Sequence, residues 1–278
     1  PKDYDLYHKF IRAAVKAMID EFGLETVGAW RFRVMTEPDL NPGHWAGTRE
    51  EYFRLYDYAV DAVTSLIPDA DIGPGNVLDP NENPNAARQI DRWGLDAIDH
   101  AATGTNYKTG QTGTRLRHIS CSWYGHVGRS IDTFEPAIRA MRERLERYPQ
   151  FRGLPVEVAE FSVLTDGGGR RFMGCESTEW SASFMAAIAD RAYRQNVAQI
   201  HQWGQTGPGL LPSPYLHTLS LLERMAGGER FPVAVSGPPN SAADVGAIAC
   251  QKDGRLFVLL YNHRALREPK LLERIELR

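Results

Sequence analysis

The sequence predicts an α/β fold in which parallel strands alternate with helices, followed by a separate β-rich tail. Apolar runs of strand character alternate five times with segments of helical periodicity, after an opening helix. Two of these runs end on a glutamate, at Glu37 and Glu160. Near residue 228 the alternation stops, and Asp253-Gly254 then separates two apolar runs as a hairpin turn does. The pattern therefore predicts part of a (β/α)8 TIM barrel over residues 1–228 and the start of a β-domain over residues 229–278.

Each element is predicted from its periodicity and its boundary residues. The opening helix stops at Gly23, and Thr48 with Glu51 forms a capping box for the second helix, which Pro68 ends. Asp132 and Glu135 predict a second capping box. The predicted helices are 4–22, 48–67, 86–102, 132–147, 178–195 and 214–225. The predicted strands are 29–36, 71–76, 116–123, 156–160 and 197–203, with 245–250, 256–261 and 272–277 in the tail.

Five strand–helix units are fewer than the eight that a closed barrel needs. The sequence has no leading strand and opens without a methionine, directly on a helix. We therefore expect the first barrel strands, and any targeting segment, to lie outside these residues.

Composition excludes several classes of function. The net charge of −3 argues against a nucleic-acid partner, and no apolar run approaches the length of a membrane helix. The three cysteines are widely spaced, and the histidines lack metal-ligand spacing, so we expect no metal and no cofactor. The oligomeric state stays open, a homo-oligomer included.

The strongest chemical signal is the pair of glutamates that close two predicted strands, Glu37 before Pro38 and Glu160 after Val-Ala. Parallel strands bring their carboxyl ends to one face, so the two carboxylates can converge there. Such a pair cleaves glycosidic bonds, one carboxyl donating a proton and the other attacking the sugar or activating water. Glu157 lies at odd offset from Glu160, and we expect it to point to the opposite face in a structural role.

Aromatic and polar residues at the same strand ends fit a sugar pocket. The candidate substrate-binding residues are Thr36, Trp45, Asn76, Trp123, Tyr124, His126 and Trp203. Flat rings bury the apolar faces of sugars, although each ring taken alone fits simple core packing equally well.

Longer motifs resemble glycoside hydrolase family 39, which contains β-xylosidases and α-L-iduronidases. Thr36-Glu-Pro-Asp39, His44-Trp-Ala-Gly-Thr48 and Glu50-Glu-Tyr-Phe-Arg-Leu-Tyr56 resemble the acid/base region of that family. Its members typically read Asn-Glu-Pro, a short loop, Trp, then a helix rich in Tyr and Phe. The resemblance continues in family order through the motifs that end at Asn76, Tyr124, Glu160, Leu222 and Asn262.

The resemblance implies a (β/α)8 barrel with an accessory C-terminal β-sandwich and a retaining glycosidase mechanism. It assigns Glu37 as acid/base and Glu160 as nucleophile, with Tyr124 near the nucleophile and Trp203 as the ring that stacks on the substrate. The implied partner is an oligosaccharide, a polysaccharide or a glycoside.

Two departures from the family pattern affect specificity. Thr36 stands where the family has the Asn that typically bonds the sugar 2-hydroxyl, and Ser122-Trp123 stands where it has His-Pro. We therefore expect a glycosidase of altered sugar specificity relative to β-xylosidases. The alternative is a non-catalytic carbohydrate-binding protein on a degenerate barrel. A lyase or aldolase would need a lysine or metal cluster at strand ends, which the sequence lacks.

Overall fold

The structure, a computed structural model, describes residues 1–80, 93–126, 128, 130–164, 178–202, 213–236 and 244–264. The α/β class is confirmed, since helices and strands alternate through these residues. The helices are α1 (Tyr4–Phe22), α2 (Leu24–Gly28), α3 (Arg49–Thr64), α4 (Asp96–Thr103), α5 (Phe134–Glu146), α6 (Glu179–Arg194) and α7 (Ser213–Met225). The strands are β1 (Arg31–Thr36), β2 (Asp71–Asn76), β3 (Ile119–His126), β4 (Val156–Leu164), β5 (Ile200–Gln202), β6 (Glu229–Phe231), β7 (Asp244–Lys252) and β8 (Arg255–His263).

Strands β1 to β5 follow the order expected of βα units. Strand β1 pairs with β2 in parallel, from Arg31 opposite Asp71 to Thr36 opposite Asn76. A parallel bridge from Val77 to Cys121 continues this order into β3, and the next sheet runs β3-β4-β5. The carboxyl ends of β1 and β2 therefore lie on one side of their sheet, which places the residues after Thr36 beside Asn76. The closed barrel stays a prediction.

The tail forms an antiparallel sheet in the order β6-β7-β8. Asp253 and Gly254 join β7 to β8 with φ values of 51° and 71°, the left-handed conformation at both positions that a type I′ hairpin requires. Strand β6 was not predicted, because three residues show too little alternation to be recognised. The predicted strand 272–277 lies outside the described residues, and the β-sandwich and the boundary at residue 228 stay predictions.

Two local predictions were wrong. The predicted helix 86–102 does not run continuously through its described part, because Trp93 to Leu95 are non-helical and α4 begins only at Asp96. Gly94 packs so closely on Asp39 that a Cβ there would lie 2.4 Å from the carboxylate oxygen Oδ2. The conformation of the residues before Asp96 thus depends on a contact with a residue far away in the sequence. Helical periodicity gives no sign of such a contact.

The prediction that Asp132 and Glu135 form a capping box was also wrong, because the chain enters α5 in a different way. The Ser130 hydroxyl accepts a hydrogen bond from the Asp132 backbone N–H at 3.1 Å and caps a 3-10 turn, Ile131–Thr133, that leads into α5. The Asp132 carboxylate instead pairs with Arg191 on α6 at 3.3 Å. By contrast, the Thr48–Glu51 capping box of α3 is confirmed, with both of its reciprocal hydrogen bonds present.

The chain divides into two compact units, each with its own core. The first unit comprises residues 1–123, 136–161 and 197–201, and the second comprises 124–135, 162–196 and 202–278. In the first, α1 packs on α3, and the core around Tyr52, Tyr56 and Ile72 contains residues of α3, β1 and β2. In the second, α6 and α7 pack on β7 and β8 around Ile248 and Cys250. None of the helices in the described ranges has the length and apolar character needed to span a bilayer.

Candidate active site

The backbone at the end of β1 is bent so that Glu37 leaves the strand and is held in place. Met35 and Glu37 have positive φ values of 76° and 42°, a conformation that side-chain-bearing residues rarely adopt. Gly75 on β2 makes room for this bend, because a Cβ there would lie 2.2 Å from the Met35 carbonyl oxygen. The Glu37 N–H donates to the Asn76 carbonyl oxygen at 2.8 Å. Strained backbone of this kind is concentrated at functional sites, and here it fixes one carboxyl group.

Glu37 is buried, with 6% of its surface exposed. Burial raises the pKa of its carboxyl group, and the negative charges of Glu160 and Asp39 raise it further. Two groups act in the opposite direction: the Ser122 hydroxyl, through a hydrogen bond, and His44, whose Nδ1 lies 3.2 Å from Glu37 Oε2. A carboxyl group in these surroundings keeps its proton at a higher pH than an ordinary glutamate.

Glu160 is partly buried and lies within β4, which continues to Leu164, so the prediction that its strand ends on this glutamate was wrong. The Thr36 hydroxyl lies 3.5 Å from its Oε2, and the Asn76 amide Nδ2 lies 3.4 Å from the same oxygen. Its charge contributes to the raised pKa of Glu37, so the two carboxyl groups interact electrostatically. Glu37 and Glu160 are thus brought together in the first unit, although 123 positions separate them along the chain.

The side chain of Asn76, which lies close to Glu160, makes hydrogen bonds to two neighbouring side chains. Its Oδ1 accepts a hydrogen bond from Thr36 Oγ1 at 2.9 Å, and its Nδ2 donates to Ser122 Oγ at 2.6 Å. The Asn76 side chain is 5% exposed, whereas Thr36 is exposed. Thr36 is therefore available to a ligand, while the Asn76 amide is engaged with protein groups.

The predicted aromatic residues differ in accessibility. Trp123 is only 1% exposed and stacks on Phe161 at 6.1 Å between ring centroids. Protein atoms cover this ring, so it differs from the exposed stacking platform that the sequence predicts, and its contact with a sugar stays a prediction. Trp45 is partly exposed, and its Nε1 donates to the Thr48 carbonyl oxygen at 2.8 Å, which anchors the loop before α3.

Tyr124 and His126 lie on the last part of β3, which belongs to the second unit, and both are partly exposed. Trp203 lies outside the described residues.

Sequence reasoning missed two residues that touch Glu37. Ser122 was noted only as a departure from the family pattern, and His44 only as part of a motif. The sequence places His44 in the loop that follows Glu37. Because the path of this loop is not predicted by the sequence, the sequence does not show which of its side chains contacts Glu37. Ser122 could have been found from β3 alone only if the register of β3 against β1 and β2 had been known.

A separate ionic cluster lies around Glu157, which has no exposed side-chain surface. Its carboxylate pairs with Arg31, and with Arg33 Nη2 at 2.5 Å. Arg31 also pairs with Asp71 at 2.7 Å. Across the described ranges, no group of three or more His, Cys, Asp or Glu side chains is arranged to hold a metal ion.

The chain is similar to known glycoside hydrolases. The family model described as glycosyl hydrolases family 39 matches residues 1–157. An alpha-1,4-L-rhamnosidase from Formosa agariphila is 21% identical over 210 residues, which is 74% of this chain and 39% of that protein. An alpha-L-iduronidase from Mus musculus is 29% identical over 140 residues, which is 50% of this chain and 21% of that protein. The structure of a GH39 beta-xylosidase from Caulobacter crescentus superposes with a TM-score of 0.66 at 18% identity, over 91% of this chain and 53% of that one.

The α/β fold, with one carboxyl group just after β1 and a second on β4, fits the glycoside hydrolase class. Since the family model covers more than half of the sequence, the chain belongs to glycosyl hydrolase family 39. It spans 39% and 21% of the length of the two curated relatives.

Proposed function

We propose that this protein hydrolyses O-glycosidic bonds by a retaining, two-step mechanism, with Glu37 as acid/base and Glu160 as nucleophile. The observation that carries the proposal is the buried Glu37 carboxyl group, whose pKa is raised by burial and by the nearby Glu160. A general acid must be protonated at the working pH, while its partner must be ionised to attack. Two carboxyl groups in different environments can meet both demands.

The proposed first step breaks the glycosidic bond. Glu37 gives its proton to the departing glycosidic oxygen, and a Glu160 carboxylate oxygen bonds to the anomeric carbon, which forms a covalent glycosyl-enzyme. In the second step the Glu37 carboxylate takes a proton from water, and the hydroxide oxygen displaces Glu160 from the sugar. Two displacements at one carbon retain its configuration, and Glu37 recovers its proton.

The sugar specificity is proposed to differ from that of β-xylosidases. Thr36 is exposed and lies next to both Asn76 and Glu160, yet its hydroxyl is shorter than the carboxamide typical of the family. A group at the sugar 2-position would therefore meet one short hydroxyl and a methyl. Sugars whose 2-hydroxyl is oriented differently from that of xylose are accordingly the first to test.

The test is a panel of nitrophenyl glycosides that includes β-D-xylosides, α-L-rhamnosides and α-L-iduronides, with the full-length protein. With the best substrate, Glu160→Gln and Glu37→Gln should each lower kcat by at least about 100-fold. A dinitrophenyl leaving group should restore much of the first step to the Glu37→Gln variant, because that group leaves without a proton. Glu50→Gln, an exposed carboxylate on α3, is the matched control and should turn over normally.

The proposal fails if Glu37→Gln hydrolyses an unactivated glycoside as fast as the wild type, or if the product has inverted configuration. The non-catalytic alternative predicts calorimetric binding of a sugar with no turnover of any glycoside. The raised pKa of Glu37 favours the enzyme, because carbohydrate binding alone does not require a buried, protonatable carboxyl group.

A further inference from the structure

The loop after β1 turns back on Glu37 and brings the imidazole of His44 to its carboxyl group. The Leu40 N–H donates to the Glu37 carbonyl oxygen at 3.0 Å, and the His44 N–H donates to the Leu40 carbonyl oxygen at 2.8 Å. His44 Nδ1 then lies 3.2 Å from Glu37 Oε2, which is the distance of an ion pair. The backbone of the loop therefore builds this contact.

Two further hydrogen bonds hold the same loop beyond its first turn. Asn41 Nδ2 donates to the Gly47 carbonyl oxygen at 3.0 Å. Trp45 Nε1 donates to the Thr48 carbonyl oxygen at 2.8 Å, immediately before α3. The imidazole of His44 takes no part in these bonds. Replacing the His44 side chain therefore removes its contact with the carboxyl group and keeps the hydrogen bonds of the loop.

The two partners differ in their exposure to water. The Glu37 side chain is 7% exposed, whereas the His44 side chain is 39% exposed. An imidazole that water reaches takes up a proton with a small desolvation cost, while an enclosed carboxylate loses most of its stabilisation by water. A positive charge on His44 thus replaces part of the stabilisation that burial removes from Glu37.

Among the described residues, two carboxylates oppose the ionisation of Glu37. Burial raises the pKa of Glu37, and the negative charges of Glu160 on β4 and Asp39 in the loop raise it further. His44 acts in the opposite direction, because a positive imidazole favours the carboxylate. His44 therefore offsets part of the repulsion that comes from Glu160 and Asp39.

We propose that His44 is a positioning residue for the acid/base, and that its protonated imidazole pairs with the carboxylate that Glu37 becomes once its proton has passed to the leaving group. This inference rests on the proposed function. In the first step Glu160 loses its charge in the covalent bond while Glu37 gains one, so repulsion falls as the attraction to His44 grows. In the second step Glu37 takes a proton from water, and both changes reverse.

The experiment measures the titration of Glu37 directly and needs no sugar. The intact protein is labelled with carbon-13 at the glutamate carboxyl groups, and the Glu37 resonance is identified by its absence in Glu37→Gln. His44→Leu should move the titration midpoint upward by about half a pH unit, because the carboxylate loses a partly exposed cationic partner. His44→Lys should keep the midpoint at or below that of the wild type, because it restores a positive charge.

The two variants separate the charge of His44 from its packing. If the imidazole only filled space, both replacements would move the midpoint in the same direction. His217→Leu is the matched control, since it removes an exposed histidine on α7 in the second unit and should titrate like the wild type. Should His44→Leu fail to fold, His44→Asn takes its place, because an uncharged Asn suits a turn and should raise the midpoint likewise.

Kinetics with the best nitrophenyl glycoside gives a second measurement. The alkaline limb of the pH profile of kcat/KM reports the acid of the free enzyme. This limb should therefore move upward in His44→Leu by as much as the midpoint measured by resonance, and should not move upward in His44→Lys.

The inference is overturned if His44→Leu titrates like the wild type, or if His44→Leu and His44→Lys both raise the midpoint. A shift of equal size in His217→Leu would overturn it too. Glu37-dependent hydrolysis with an unmoved titration would leave the proposed function standing and remove the role of His44. The expected shifts in a protein that hydrolyses no glycoside would instead refute the proposed function and leave only the ion pair.

Discussion

Replacing Glu157 by Gln should destabilise the fold strongly, because it leaves two arginines without their buried carboxylate. Glu157 has no exposed side-chain surface, and it pairs with Arg31 and with Arg33. Arg31 keeps a second partner in Asp71, but the remaining contact of Arg33 is His201 at 3.1 Å. Burial and the neighbouring charge of Arg31 lower the pKa of Arg33, and the negative charge of Asp71 offsets this only in part, so the charge of Arg33 is poorly compensated without Glu157.

The size of the expected loss of stability depends on how exposed the Arg31 and Arg33 side chains are. Removing one member of a fully buried ion pair costs about 3–5 kcal/mol of unfolding free energy. Because the Arg31 and Arg33 side chains are 25% and 24% exposed, water screens part of the remaining charge, and we expect a loss of about 2–3 kcal/mol. Urea unfolding monitored by tryptophan fluorescence measures this difference, with Glu50→Gln as the exposed control.

A second substitution distinguishes an unpaired charge from a packing defect. Adding Arg33→Met to Glu157→Gln removes the charge that has lost its partner, and the double variant should regain part of the lost stability. The reasoning is refuted if Glu157→Gln unfolds within about 0.5 kcal/mol of the wild type. A double variant less stable than Glu157→Gln would refute it equally.

Three further predictions concern the same unit. Thr48→Ala removes the cap of α3 and should lower the unfolding free energy by about 1 kcal/mol in urea. Gly75→Ala should prevent stable folding, since its Cβ would meet the Met35 carbonyl oxygen, whereas Gly28→Ala, with its nearest atom at 3.9 Å, should give a normal thermal transition. Glu37→Gln should raise the thermal midpoint at pH 7, because burial raises the pKa of Glu37 in the folded state.

The sign of the last prediction follows from proton linkage. Between the ordinary pKa of a glutamate and the raised folded pKa, the native state binds more protons than the unfolded state. Stability contributed by the protonated Glu37 is therefore lost as pH rises through that window, and the Gln variant does not lose it. The gain in thermal midpoint should vanish below the ordinary glutamate pKa, and a gain of equal size at all pH values would contradict the linkage.

Some elements could be predicted from the sequence because residues close together in the chain determine them. The α3 capping box lies within four residues, and the β7–β8 turn needs only Asp253 and Gly254 in left-handed conformations. The approach of Glu37 and Glu160 was also predicted from sequence, by the rule that parallel strands have their carboxyl ends on one side, although Glu160 lies within β4 and not at its end. Family motifs added the roles proposed for the two residues.

Only the tertiary structure decided which side chains surround these carboxyl groups. Trp123 and Ser122 are neighbours on β3, yet Trp123 stacks on Phe161 in the core while Ser122 accepts a hydrogen bond from Asn76 on β2. The register between strands that are distant in the sequence decides which neighbours each of them meets. The break before α4 and the pairing of Asp132 with Arg191 likewise depend on contacts between residues far apart in sequence. Periodicity and capping act over a few residues and therefore determine elements, whereas the polar network of the site arises from strand register and packing.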